Sequence, residues 1–271
     1  MKMNNLITFT VLLVLFAACQ EDVVLDLNKT EKKLVVEAYV SNEFPCANVS
    51  LSYSLDFYDE VIQEKLDNAT VNLTDENGQV TVLDLNNARE FVPVSFIPNF
   101  GLNYTLNITF GDQIIESQAT LPFPVPIVDV SFVPNPFYSS PDSLNLYVTL
   151  ADQIDRDNFF RLKVRRLSEE DSGEYSLFDD SFGNGGLVTL PVYFRNFSAG
   201  DTVVVELFNL SEEAFNYYAW LSENDRATLN TIAPGNPTSN VPENVLGCFI
   251  AYTVDRDTVI APDLSPLKLV R

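Results

Sequence analysis

Leu102-Asn103-Tyr104-Thr105-Leu106-Asn107-Ile108-Thr109-Phe110 alternates apolar and polar residues, and Gly111-Asp112 follows at once. A period of two puts Leu102, Tyr104, Leu106, Ile108 and Phe110 on one face and the Asn/Thr residues on the other. Gly-Asp then turns the chain into Gln113–Thr120, so the stretch predicts a hairpin with one buried face. The same grammar extends in both directions. Val49, Leu51, Tyr53 and Leu55 alternate with serines, and Leu34 to Val40 reads as an opening strand. Residues 69–74 and 79–85 flank Asp75-Glu76-Asn77-Gly78, where Asn-Gly accepts positive φ.

Leu121-Pro122-Phe123-Pro124-Val125-Pro126 interrupts this pattern. Three prolines in five residues do not fit a central strand and make a stiff extended connector. Beyond it, strands are predicted at 127–133, at Leu144–Leu150, around Phe160, Leu162 and Val164, and around Val203, Val205 and Leu207. One helix is expected near 211–222. Ser211 caps it, Glu212 and Glu213 favour its positive end, and Ala214, Tyr217, Tyr218 and Leu221 form its apolar stripe. Two short closing strands, 249–254 and 258–260, are expected around Asp255-Arg256-Asp257. The fold class is mostly β: two Ig-like β-sandwich domains in tandem, 34–121 and 127–271, joined at 122–126, with one short helix in the second.

The start of the chain points to a compartment. Leu6 to Ala18 is apolar except for Thr8 and Thr10. Its length suits a signal-peptide core and falls short of the roughly 20 residues a spanning helix needs. Ala17-Ala18-Cys19 resembles a bacterial lipobox. Residues 1–18 would be the signal peptide, Cys19 the acylated residue and 19–33 a polar tether. Gln20-Glu21-Asp22 resembles the export signal that sends lipoproteins of Bacteroidota-type bacteria to the cell surface.

Composition removes several classes of function. The chain carries 38 acidic and 16 basic residues, a net charge of -22, so charge does not draw it to nucleic acid or to anionic lipid. It contains no histidine, which excludes Ser-His-Asp and Cys-His centres and His-ligated metals. Beyond Cys19 only Cys46 and Cys248 remain. They form either one disulfide or two buried thiols.

Acidic runs at 169–174, at Asp179-Asp180 before Gly183–Gly186, and at Asp152, Asp155 and Asp157 offer oxygens to calcium, yet none has EF-hand spacing. They read as solvated loops, and no cofactor is expected, calcium being the sole candidate. No motif isolates a catalytic carboxylate pair, and no Ser-x-x-Lys occurs. The aromatic pairs Phe137-Tyr138, Phe159-Phe160, Tyr193-Phe194 and Tyr217-Tyr218, with Trp220, suit core packing or a protein contact. Asp142-Ser143-Leu144, Asp201-Thr202-Val203 and Asp257-Thr258-Val259 resemble O-glycosylation triplets.

The order of the parts resembles a known family. Leu34-Val35-Val36-Glu37, the hairpin from Ala69 to Gly78, the proline-rich joint and Gly200-Asp201-Thr202-Val203 before a Tyr-rich helix all fit it. The most specific mark is Asn236-Pro237-Thr238-Ser239-Asn240-Val241, followed by Leu246-Gly247-Cys248-Phe249. The chain is similar to DUF4249, a domain of unknown function found in Bacteroidota lipoproteins. It differs in Glu243-Asn244, where glycines are usual, and in Cys248. Within the signature, Pro237 and Pro242 fix φ, Asn236 and Asn240 suit turns, and Gly247 permits close approach.

The resemblance brings no catalytic residues. It implies a non-enzymatic outer-membrane lipoprotein, often encoded beside TonB-dependent receptors, that serves such a transporter in nutrient capture or gating. A free-standing glycan- or peptide-binding surface protein is the alternative, and a carboxylate-based hydrolase a third reading.

Overall fold

A computed structural model describes residues 31–55, 65–135, 143–182, 185–227 and 236–264. The signal peptide, Cys19 and Gln20-Glu21-Asp22 lie outside the described residues. From Lys32 onward the described chain forms one compact unit. It is mostly β, with a single α-helix among the described residues. The strands are β1 (Leu34–Ser41), β2 (Ala47–Tyr53), β3 (Ala69–Asp75), β4 (Val80–Leu85), β5 (Phe91–Pro93), β6 (Asn103–Phe110) and β7 (Gln113–Thr120) before the proline-rich joint. After it come β8 (Ile127–Pro134), β9 (Leu144–Asp152), β10 (Phe159–Arg166), β11 (Ser176–Asp179), β12 (Gly186–Phe197) and β13 (Thr202–Leu210). The helix α1 (Glu212–Ala227) and β14 (Val245–Ile260) end the described fold.

The opening hairpin behaves as its alternation requires. Asn103 pairs with Thr120 and Phe110 with Gln113. Tyr104, Leu106 and Ile108 are buried, while the polar residues between them are less so. β3 and β4 meet around Asp75–Gly78, and the Asp75 carboxylate accepts the amides of Asn77 and Gln79 at 3.0 and 2.9 Å. This is an Asx turn that fixes the register of the pair.

Sheet order is β11-β10-β13-β14-β1-β2-β5-β4-β3-β6-β7, with a second sheet β12-β9-β8. The long ladder is continuous across both halves of the chain. The cause is β14. Its first half runs parallel to β1, Leu34 opposite Val245 through Ser41 opposite Tyr252. Its second half runs antiparallel to β13, Tyr252 opposite Leu210 through Ile260 opposite Thr202. The two closing strands expected around Asp255-Arg256-Asp257 are therefore one. The charged triplet stays in register because it lies on the wetter stretch, where Arg256 Nε donates to Glu206 on β13 at 2.7 Å.

The apolar clusters divide at the joint even though the ladder does not. The first gathers β1 to β7 with Val245, Phe249 and Ala251 of β14. The second lies between β9 (Leu144, Leu146, Val148, Leu150) and β10 with β13 (Phe160, Leu162, Val164, Val203, Val205, Leu207), a sandwich of two sheets. Each such side chain contributes about 1.5–3 kcal/mol by leaving water.

A third cluster forms on the far face of β13 and β14, where Phe208 and Val254 meet Ala214, Phe215 and Tyr218 of α1. Strand β13 is thus covered on both sides and reads as a nearly unbroken apolar run. Helix α1 starts where Ser211 Oγ accepts the Ala214 amide at 3.3 Å. It runs to Ala227, past the expected end near 222, because the apolar stripe stops at Leu221 while helical backbone bonding continues through a polar turn.

Candidate functional site

The residues of the Asn-Pro/Leu-Gly signature converge on β14. Asn240 sits between two sheet edges and satisfies both. Its Nδ2 donates to Gln118 O on β7 at 2.8 Å and to Phe249 O on β14 at 2.7 Å. Its Oδ1 accepts the Phe249 amide at 3.0 Å and the Cys248 thiol at 3.3 Å. Ser117 Oγ on β7 donates to Asn240 O at 2.9 Å. One side chain therefore brackets the first sheet shut, joining its last strand to the strand that borders β1.

Ser239 Oγ donates to Gly247 O, and it accepts the Val241 amide at 3.2 Å. Gly247 faces Val36 in the parallel ladder with φ of +101°. A Cβ at this position would overlap the Val36 carbonyl, so the close approach of β1 and β14 requires glycine here. Phe249 is buried in the first core.

What this bracket holds open is a groove of about 450 Å³. One wall is the signature loop, with Asn236, Pro237, Leu246 and Gly247. The floor is Val35 and Glu37 of β1, and the other wall is Tyr217 and Leu221 of α1. A second hollow of about 520 Å³ shares Glu37 and Tyr217 and continues across β1 and β2 to Lys65 and Glu90. There Lys65 Nζ pairs with Glu90 at 2.5 Å, and Asn48 Nδ2 donates to the same carboxylate at 3.1 Å. The Lys65 bond holds the Glu90 carboxyl below the usual carboxylate range. Glu37 is exposed, and among the described residues it has no cationic partner. Burial raises the Tyr217 hydroxyl, with Glu37 and Cys248 adding to it. Sequence reading reached the signature wall but not Glu37 or Tyr217 as its counterparts. The one signal available was a lone carboxylate ending the apolar run Leu34-Val35-Val36.

Cys46 and Cys248 are free thiols. Cys248 lies opposite Glu37 of β1, whereas Cys46 ends the β1–β2 turn, its carbonyl bonded to Ser41 N at 2.8 Å. Four residues along β1 separate those levels, about 13 Å of strand. Cys248 is buried, and desolvation pushes its thiol up to about 12. Burial raises Cys46 as well.

The acidic runs are largely engaged. Glu169 bridges Arg166 at 2.7 Å and Arg195 at 2.5 Å, Glu174 reaches Arg195 at 2.8 Å, and Asp171 pairs with Lys163 at 2.5 Å. Asp201, of one glycosylation-like triplet, binds Arg166 Nε at 2.7 Å. Asp152 accepts Asn158 Nδ2 at 2.8 Å and the Gly185 amide at 2.7 Å. Among the described residues, no three acids or thiols converge as metal ligands do. Of the aromatic pairs, Phe160 is core, Phe159 lies against Phe215 with ring centres 5.1 Å apart, and Tyr218 of α1 packs against the third cluster. Phe137-Tyr138 and the side chains of Tyr193-Phe194 lie outside the described residues.

The family model described as Domain of unknown function (DUF4249) matches residues 20–258. Among curated proteins, none matches the chain.

Proposed function

The chain belongs to the DUF4249 family, and from that premise we propose that it is a lipid-anchored outer-membrane protein, a non-enzymatic binding or gating subunit beside a TonB-dependent receptor. The observation that carries a binding role is the groove. The signature residues Asn240, Ser239 and Gly247 are committed to backbone bonds and close packing that shape its wall. They hold a surface, and that surface is open, partly apolar and acidic at Glu37. Anchoring is supported by the lipobox-like Ala17-Ala18-Cys19, and the receptor by the resemblance set out from the sequence.

The test is purification from native membranes in mild detergent with a tag at the C-terminus. A stoichiometric β-barrel receptor in the eluate is the expected result. Recovery without one, from cells expressing the receptors, refutes the subunit role. A free-standing peptide- or glycan-binding surface protein is the second reading, favoured by the open groove. It predicts that the isolated protein retains a soluble polymer with no barrel present.

A further inference from the structure

A third hollow, distinct from the signature groove, lies where the joint crosses the base of α1. Its volume is about 630 Å³. Four segments build it: Phe100–Leu102 before β6, Thr120–Phe123 running from β7 into the joint, Arg156–Phe159 entering β10, and Leu210–Glu213 entering α1. Three phenylalanines, Phe100, Phe123 and Phe159, line it, and Asp157, Glu212 and Glu213 stand at its rim.

The aromatic lining is held from behind. The Phe123 ring lies against Gly101, where any side chain would collide with it. The Phe123 carbonyl accepts Asn209 Nδ2 at 2.9 Å and Thr253 Oγ1 at 3.3 Å. Asn158 is 4% exposed, and its amide is bonded to Asp152 and to Asn209 at 2.8 and 3.0 Å. A buried polar network thus fixes the backbone behind the hollow.

Its electrostatics select the ligand. The Arg156 guanidinium lies 3.6 Å from the centre of the Phe123 ring. Among the described residues it forms no ion pair, although three carboxylates line the same hollow. One cation against three acids leaves the site with a charge of about -2, in a chain whose net charge is -22. Three carboxylates that form no ion pair among the described residues leave room for a second cation, which would compete with Arg156 for the Phe123 face.

We propose that this hollow binds the guanidinium side chain of a peptide, with Arg156 acting as an internal competitor for the Phe123 face and Asp157, Glu212 and Glu213 supplying the countercharge. The site goes beyond the groove reading and does not depend on it.

The experiment is a ligand-observed NMR titration of the purified full chain in detergent, using N-acetyl-arginine amide as probe and N-acetyl-citrulline amide, its neutral near-isostere, as control. Saturable binding of the arginine probe alone is expected. Arg156→Ala vacates the ring and tightens that binding by about two- to fivefold. Glu212→Gln with Glu213→Gln weakens it, by up to about fivefold for each charge removed. All these positions are at the surface, so the variants should melt with the wild type. Equal binding of citrulline, no saturation, or weaker binding in Arg156→Ala overturns the proposal. The last result would assign Arg156 to an anionic ligand instead.

Discussion

Replacing Asn240 by Asp tests whether one side chain closes the first sheet. The substitution keeps the shape and the acceptor oxygen but removes the Nδ2 group that donates both bonds. Gln118 O and Phe249 O, now met at 2.8 and 2.7 Å, lose their partners and face a carboxylate. Two lost hydrogen bonds contribute about 1–3 kcal/mol between them. The approach of a charge to two carbonyl dipoles adds to that, while partial exposure of the site limits it, so the total expected is about 2–4 kcal/mol. Denaturant unfolding of the full chain should show a lower midpoint at unchanged slope, since the same surface is exposed on unfolding. Hydrogen exchange localises the effect: amides of β7 near Ser117 and Gln118 should open first, because that edge is tied to β14 through Asn240. A loss below about 0.5 kcal/mol, or exchange that quickens evenly over both halves, would refute the closure argument.

Other outcomes follow from the same contacts. Gly247→Ala should prevent recovery of folded protein or destabilise it by more than about 4 kcal/mol, because the clash is with backbone and φ is positive; near-wild-type melting would contradict the β1–β14 register. The Arg166 and Arg195 bonds hold Glu169 below the usual carboxylate range, and the Lys163 bond does the same for Asp171. Burial works the other way at Asp201, but the Ser198 amide and Arg166 outweigh it and lower that carboxyl too. Depressed native values give stability that is complete above the unfolded values, about 4, and lost as pH falls through the native ones. The stability gap between wild type and Arg195→Gln should therefore be full at pH 7 and close in strong acid; a gap unchanged at both would show that the ion pairs are not its source. At pH 8 a thiol raised to about 12 is thiolate in about one molecule in ten thousand. Iodoacetamide should spare Cys248 in the folded chain and modify it in denaturant without reductant, and rapid native labelling of Cys248 would contradict its burial.

The parts of the fold that could be read from the chain are those whose partners are near in sequence. The β6–β7 hairpin follows from its alternation and Gly111, and β3–β4 from Asn77-Gly78. Strand β12 escaped because Pro191 interrupts it; its place at the edge of the small sheet tolerates the missing amide. Strand β5 is three residues long and carries no period. The parallel pairing of β1 with β14 joins the two ends of the described fold, and nothing local encodes it. The site divides in the same way. Asn236, Pro237, Asn240 and Gly247 stand out as turn formers in one short stretch. Glu37, Tyr217, Ser117 and Gln118 reach them only through the closed ladder. The buried amide of Asn209 and the ring of Phe123 likewise make sense only once the joint lies against β13 and β14.

Helix α1 lines both the joint hollow and the signature groove. Its first turn gives Glu212 and Glu213 to the joint hollow, and one turn further on Tyr217 and Leu221 form a wall of the signature groove. Its seat is stiff on one flank. Arg161 of β10 lies between Phe208 and Tyr218, its guanidinium 4.1 and 4.2 Å from their ring centres, and the Tyr175 hydroxyl donates to Tyr218 O at 3.0 Å. On the other flank Tyr217 and Leu221 face the groove. The walls of the joint hollow and of the signature groove thus both depend on how one helix of 16 residues is seated. Arg161 is the cation of that seat, so Arg161→Leu, which removes both ring contacts, should quicken amide exchange in α1 relative to the wild type; unchanged exchange there would show that the stack does not hold the helix.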